Sequence, residues 1–275
     1  MTPSEADTTA IVPPDMADVA PVASAPIVRE RPAGSLVEFF ESLLVTILLA
    51  LFGTTFIVQA FKIPSESMEP TLLVGDHLLV NKFVFEGTGA WYEKVLPYRP
   101  ILHGDIIVFK FPFDDHPHYV KRVIGLPGDR IHIVNNQVYV NDNKLAEPYV
   151  VHDPSGDDPA VENFPPPDQR ISQVGLRSEW SAEIRRYIAG DELVVPPGHY
   201  FVMGDNRDRS WDSRYWGFVD HSAIMGRPMV IYWSVEATSD DYGDRTVSGS
   251  LRGIEQTLVH LPSRTRWHRM LRGVD

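Results

Sequence analysis

The apolar and polar positions divide the chain into stretches of different texture. Residues 1–35 hold seven Ala, six Pro and scattered Asp and Glu. Their apolar residues are too dispersed for a helical stripe or an alternating strand, which predicts a disordered tail. Leu36-Val-Glu-Phe-Phe-Glu-Ser follows, and then an uncharged run from Ser42 to Val58, seventeen residues rich in Leu, Ile, Val and Phe. That length meets the lower end of the roughly 17–25 residues that a membrane-spanning helix needs. A cleaved secretory leader is excluded, because a net acidic stretch rather than a short basic region precedes the apolar core. A buried helix of a soluble domain competes with a membrane anchor, since Thr46, Gly53, Thr54 and Thr55 interrupt the run and Glu38 and Glu41 stand at its entrance. Arg29 and Arg31 precede the run and Lys62 follows it, a balance that places the N-terminus on the cytoplasmic side. The pattern predicts an anchor over residues 36–60, with everything after Lys62 outside.

Downstream the period shortens. Leu78 to Phe85, Asp105 to Phe111, Tyr119 to Ile124, Arg130 to Val134, Gln137 to Val140, Tyr200 to Met203 and Met225 to Trp233 are rich in Val, Ile, Phe and Tyr and read as strands. Leu126-Pro-Gly-Asp, Asn135-Asn136 and Val195-Pro-Pro-Gly supply the turns between them. The fold class this predicts is mainly β, an antiparallel domain built from residues 61–140 and 199–236. Residues 141–198, with Asp153-Pro-Ser-Gly-Asp-Asp-Pro and Phe164-Pro-Pro-Pro-Asp, read as a loop-rich insertion. In the C-terminal segment, 237–275, Leu251, Ile254, Leu258 and Leu261 recur at helical spacing, as do Trp267, Met270 and Leu271 among Arg264, Arg266, Arg269 and Arg272. This suits a basic amphipathic helix on a membrane surface, or equally a helix packed on the β domain or a frayed end.

Composition narrows the chemistry. There is no cysteine, so thiol nucleophiles, zinc-thiolate sites and CxxC redox chemistry are excluded. The net charge of −12 argues against nucleic acid as a partner, because phosphate contacts need clustered Lys and Arg. No GxSxG, HExxH, SxxK, P-loop or GxGxxG motif occurs, and the ten His form no ligand pattern, so neither a metal nor a cofactor is called for.

Three polar stretches embedded in apolar sequence remain: Phe61-Lys-Ile-Pro-Ser-Glu-Ser-Met-Glu-Pro-Thr-Leu, Tyr119-Val-Lys-Arg-Val-Ile-Gly-Leu-Pro-Gly-Asp, and Gly204-Asp-Asn-Arg-Asp-Arg-Ser-Trp-Asp-Ser-Arg-Tyr-Trp-Gly. Singly they read as a linker, a strand with an exposed cation and a charged turn. Together, in this order behind one apolar segment, they resemble the type I signal peptidases, membrane-bound serine proteases with a Ser/Lys pair. The resemblance extends over roughly residues 36–235 and includes Gly104-Asp-Ile-Ile-Val-Phe.

That resemblance implies a signal-peptidase-type β domain behind one transmembrane helix, located in the bacterial cytoplasmic membrane with the catalytic part on its outer face. It makes Ser67 the nucleophile and Lys121 the general base. Ser65 and the backbone N–H of Ser67 become the oxyanion donors, Ser210 orients the lysine, and Asp212 and Arg214 form a bracing ion pair. Phe61, Ile63, Leu78, Tyr119 and Val120 match positions lining two shallow pockets for small residues of an Ala-x-Ala site. The implied partners are signal peptides of exported preproteins and membrane lipid. A serine hydroxyl needs a base within hydrogen-bond reach, and lysine serves only when burial lowers its pKa. An extended substrate would pair with exposed strand edges. Arg209 and Glu66 depart from the common family residues, Asn and Gly, and receive no catalytic duty. Two other readings stay open: a self-cleaving Ser/Lys regulator cutting at Ala33-Gly34, and a catalytically silent, membrane-tethered peptide-binding module.

Overall fold

Alternation along the apolar stretches is realised as strands that curl around the third polar motif. A computed structural model of the protein describes residues 36–54, 58–82, 85, 99–111, 118–152, 162–167, 171, 175–238 and 263–274. The tail expected over residues 1–35 lies outside the described residues. The chain divides into two units, Met1–Ile47 and Leu48–Asp275, each described by itself.

Helix α1 covers Leu36–Phe52. Thr46 donates its hydroxyl to the Ser42 carbonyl at 2.8 Å and Thr54, just beyond the helix, donates to Ala50 at 2.9 Å. These hydroxyls are satisfied within their own segment, so they do not spoil its apolar surface. The large apolar side chains of α1 are exposed. None of the described helices is long and apolar enough to cross a membrane. The helical run is also shorter than the expected 36–60, because residues 58–60 already belong to a strand.

The strands in chain order are β1 (Val58–Lys62), β2 (Asp76–Asn81), β3 (Ile106–Lys110), β4 (His118–Gly125), β5 (Arg130–Val134), β6 (Gln137–Val140), β7 (Asn143–Lys144), β8 (Ile188–Ala189), β9 (Glu192–Val194), β10 (His199–Met203), β11 (Val219–Asp220), β12 (Ile224–Ser234) and β13 (Arg272–Gly273). Two short helices, α2 (Ser178–Glu183) and α3 (Ser213–Trp216), lie between β7 and β8 and between β10 and β11. The first sheet runs β1-β2-β12-β3-β4-β10-β11, with β13 added to β12. Its pairings are antiparallel. β12 passes from β3 to β2 at Gly226, where φ is +153° and a Cβ would meet the Asn81 carbonyl oxygen at 2.1 Å. Only glycine permits this crossing. The sheet curls enough that the Phe61 ring of β1 lies 5.2 Å from the His118 ring of β4, although three strands separate them in the pairing order.

β3 is buried on both faces, which explains its unbroken apolar run. Ile106 and Val108 join Ile63, Met68, Leu72 and Leu78 in one cluster. Ile107 and Phe109 join Val123, Val202 and Trp216 in another. The second sheet, β7-β6-β5-β9-β8, packs Ile131, Ile133, Val138 and Leu193 against Trp180, Ile184 and Phe201. It therefore joins β5 and β6, expected in the catalytic domain, with β8 and β9 from the expected insertion, so those residues share one core.

The described part of the C-terminal segment, residues 263–274, differs from a surface helix. Residues 239–262 lie outside the described residues, while Trp267–Arg269 form a 3-10 turn and β13 pairs with β12. Arg269 is buried, donating to Asp76 Oδ2 at 2.5 Å and to the Thr71 carbonyl at 2.9 Å. A buried carboxylate needs such a partner more than a helix needs one further turn.

Candidate active site

Ser67 sits in a 3-10 turn, Glu66–Met68, between β1 and β2. Ser65 precedes the turn in extended conformation (φ −131°, ψ 156°) and its side chain makes no cap hydrogen bond, leaving the hydroxyl available to the site. Ser65 Oγ lies 3.4 Å from Ser67 Oγ. Beneath, Met68 and Leu72 are buried in the core, and the Leu72 N–H donates to the Met68 carbonyl at 2.9 Å. The apolar positions that flank the two serines thus pin the turn, while the first N–H groups of so short a helix have no intrahelical acceptor.

Lys121 lies in the middle of β4, opposite Ile107 of β3. Its Nζ donates to Ser67 Oγ at 2.6 Å, and both side chains are buried. Burial lowers the lysine pKa from 10.5 to about 8; Asp212 and Asp205 oppose this and Arg214 assists it. A shift of this size follows from desolvating the ammonium. At neutral pH about one such lysine in ten is uncharged.

The third motif closes over the dyad. Gly204 donates its N–H to Asp212 Oδ2 at 3.0 Å, and the Asn206 N–H donates to the Ser67 carbonyl at 3.2 Å. A Cβ on Gly204 would lie 2.3 Å from Ser210 Oγ and 2.4 Å from the Ser67 carbonyl oxygen, so the loop approaches the nucleophile only because the residue has no side chain. Arg214 holds Asp212 with two bonds, Nε to Oδ1 at 2.8 Å and Nη2 to Oδ2 at 2.9 Å. Burial pushes the Asp212 pKa up, and the guanidinium together with further hydrogen bonds, the Gly204 N–H among them, outweighs it and holds the carboxyl below its ordinary range. Next to Lys121, Arg122 grips Asp205 through Nε and Nη2, both at 2.8 Å. Thr71 donates its hydroxyl to Asp205 Oδ2 at 2.5 Å. Arg207 is paired with Glu147. Buried pairs of this kind hold position as long as neither partner is removed.

A family described as signal peptidase, peptidase S26, matches residues 36–233. The signal peptidase I of Pseudomonas aeruginosa is 37% identical over 214 residues, 72% of this chain and 73% of that protein. The chain belongs to the signal peptidase family. The signal peptidase I of Pseudomonas fluorescens is 35% identical over 72% of this chain and 73% of its own length. A signal peptidase I crystal structure from Enterococcus faecalis is 28% identical, covering 47% of this chain and 97% of that one, with a TM-score of 0.30. The family match ends at residue 233, so the docked segment 263–274 lies beyond it.

Of the residues singled out in the sequence, the fold brings Ser65, Ser67 and Lys121 together and pairs Asp212 with Arg214. Ser210 Oγ is buried without a hydrogen-bond partner of good geometry, yet it stands near enough to Asp212 to help lower that carboxyl's pKa; no bond joins it to Lys121. Ile63 and Leu78 are wholly in the core, with Phe61 and Val120 packed over them. Tyr119 is apart from these four, on the opposite face of β4 against the cluster of Phe109, Phe111 and Trp216. The sequence left Gly204, Arg122, Asp205, Arg207 and Glu147 without roles in the site. All but Glu147 stand inside the motifs that identify signal peptidases, and that position was the available signal. Glu66 and Arg209, the two departures from the common pattern, are ion-paired at 2.8 Å.

Proposed function

We propose that Ser67 is the nucleophile and Lys121 the general base of the serine endopeptidase activity, removal of signal peptides, that belongs to the family. The observation that carries this reading is the 2.6 Å contact between Lys121 Nζ and Ser67 Oγ, with the lysine pKa brought down to about 8. Neutral Lys121 takes the hydroxyl proton as Ser67 attacks the scissile carbonyl. Negative charge on the carbonyl oxygen is met by the Ser65 hydroxyl and the Ser67 N–H. Protonated Lys121 passes its proton to the leaving amine, an acyl-enzyme forms, and water, deprotonated by the same lysine, releases the product. Asp212 and Arg214 hold the loop that covers the base.

The substrate strand runs along β4. On one side β4 pairs with β3 from His118 onward, while β10 pairs on the other side only from Arg122. In this reading the stretch Tyr119–Lys121 beside the nucleophile is where an added substrate strand docks. The small residues of the substrate then sit against Phe61 and Val120, which pack over Ile63 and Leu78, and larger side chains are rejected there by overpacking.

Helix α1, exposed along its length and uncharged after Glu41, with its flanking residues is the single-pass anchor in the bacterial cytoplasmic membrane, and the chain after Lys62 works on the outer face. The large apolar side chains that follow Glu41 need an apolar surrounding. The test is cleavage of a preprotein with an Ala-x-Ala site by the full chain in detergent. Cleavage after the second Ala that is lost in Ser67→Ala and in Lys121→Ala supports the assignment. Undiminished cleavage by either variant contradicts it.

A further inference from the structure

The first residues of the expected insertion are bonded to the loop that carries the third motif. Glu147-Pro148-Tyr149-Val150 forms a turn, with the Val150 N–H donating to the Glu147 carbonyl at 3.2 Å. Val151 then makes a parallel bridge to Asn206. Its N–H donates to the Asp205 carbonyl at 3.0 Å, and its carbonyl accepts the Arg207 N–H at 3.1 Å. Glu147 pairs with Arg207, whose Nε donates to the Gly204 carbonyl at 3.2 Å. This short strap thus fixes the backbone on either side of Asn206, the residue whose own N–H holds the Ser67 carbonyl.

Tyr149 stands in the middle of the strap, and its ring lies over a cation that has no edge to spare. The Arg122 guanidinium carbon is 3.9 Å from the Tyr149 ring centroid. In its plane the guanidinium is committed, with Nε and Nη2 on the Asp205 carboxylate and Nη1 on the Gly104 carbonyl, each at 2.8 Å. A planar cation bonded along its edges gains a further neighbour over its face, where an aromatic ring attracts it. Arg122 is only 4% exposed, so the ring stands where water would otherwise solvate the charge. Burial first and Glu147 second push the Tyr149 pKa up, and the phenol brings no charge of its own.

The carboxylate that Arg122 grips acts on the general base. Asp212 and Asp205 raise the Lys121 pKa, while burial and Arg214 lower it. Besides Arg122, Asp205 accepts the Thr71 hydroxyl at 2.5 Å. A guanidinium free to leave Asp205 would leave that charge less compensated and the loop beside Ser67 less fixed.

We propose that Tyr149 is a positioning residue for the reaction at Ser67: stacked on Arg122, it keeps the guanidinium on Asp205 and so fixes both the loop and the charge beside Lys121. The proposal rests on the reading of Lys121 as the base.

The experiment measures kcat, KM and the pH profile of kcat/KM on one preprotein with an Ala-x-Ala site, using the full chain in detergent. Tyr149→Phe keeps the ring and is expected to stay within about twofold of the parent. Tyr149→Leu and Tyr149→Ala are expected to lose about tenfold in kcat with little change in KM. Their acid limb moves up by about one unit from a midpoint near pH 8, because a less compensated carboxylate favours the ammonium. An acid limb unmoved in Tyr149→Leu overturns the proposal, whatever happens to rate or stability, and so does a Leu variant that matches the Phe variant. If Tyr149→Ala does not fold, the comparison of Phe with Leu decides alone. Cleavage by the parent that persists undiminished in Lys121→Ala overturns the reading of the base instead.

Discussion

Lys121 Nζ and Ser67 Oγ are 2.6 Å apart, and both groups are withdrawn from water. Nothing in either residue type alone gives a nucleophile and base at neutral pH. The pair does, because burial disfavours the lysine's charged form and the 2.6 Å contact gives the hydroxyl proton a direct path.

The pH dependence follows from this. Burial first, and Arg214 second, bring the Lys121 pKa down from 10.5 to about 8, against the opposing pull of Asp212 and Asp205. The base works only when neutral, so kcat/KM should be flat well above pH 8 and fall about tenfold per unit below it. A profile of kcat/KM against pH checks this, and a rate unchanged down to pH 6 would rule out a lysine base.

Gly204 is the tightest steric constraint at the site. In Gly204→Ala the new methyl carbon meets Ser210 Oγ at 2.3 Å and the Ser67 carbonyl at 2.4 Å, and the second contact is to backbone that has no rotamer to yield. Displacing the nucleophile by about 1 Å lowers activity on the order of 100-fold, and overpacking costs about 1–3 kcal/mol of stability. Steady-state kinetics and denaturant unfolding measure the two. Parent-like values in both would mean that the loop does not press on Ser67.

Removing the Ser65 hydroxyl tests the oxyanion role. Ser65 is exposed and does not cap the turn, so Ser65→Ala leaves the fold alone and removes one donor. The expected loss is about 100- to 1,000-fold in kcat with little change in KM. A loss confined to KM would assign Ser65 to substrate binding instead.

The C-terminal segment is tied to the catalytic turn through Asp76 and Thr71. Arg269 bonds both, and Asp76 also accepts from the Ser234 hydroxyl at 2.6 Å and from the Leu73 N–H at 2.9 Å. Arg269→Ala removes the nearer of the two guanidiniums facing the fully buried Asp76, leaving Arg266 at 3.8 Å, and should destabilise the domain by about 1–3 kcal/mol. Guanidinium unfolding reads this directly, and a variant as stable as the parent would show the pair to be dispensable.

The longer strands were legible in the sequence because β-branched and aromatic residues mark them even where both faces are buried, as in β3 and β4. The two-residue strands β7, β8, β11 and β13 and the three-residue β9 are too short to show a period, so the stretch holding β8 and β9 reads as loop-rich. The serines and the lysine were legible as motifs, but the burial that lowers the lysine pKa was not, since it arises when β3 and the Gly204 loop close on β4. The long-range pairs were illegible for the same reason. Arg122 and Asp205 are 83 positions apart, and Arg269 and Asp76 are 193 apart, so no local spacing links them. In the sequence Arg269 stands at helical spacing among other arginines, and its place in the fold is explained by the buried Asp76 carboxylate and the Thr71 carbonyl. Tyr119 and Val120, neighbours in β4, face opposite ways, a division that the motif itself does not display.

The central claim is that Ser67, activated by neutral Lys121, becomes acylated by the substrate. The most direct measurement is intact and peptide-level mass spectrometry of the full chain treated at pH 8 with an acylating peptide probe ending in an Ala-x-Ala segment. The account predicts one adduct, located on Ser67, and its disappearance in Lys121→Ala. An adduct on another residue, or one that forms on Ser67 as fast without Lys121, would contradict it.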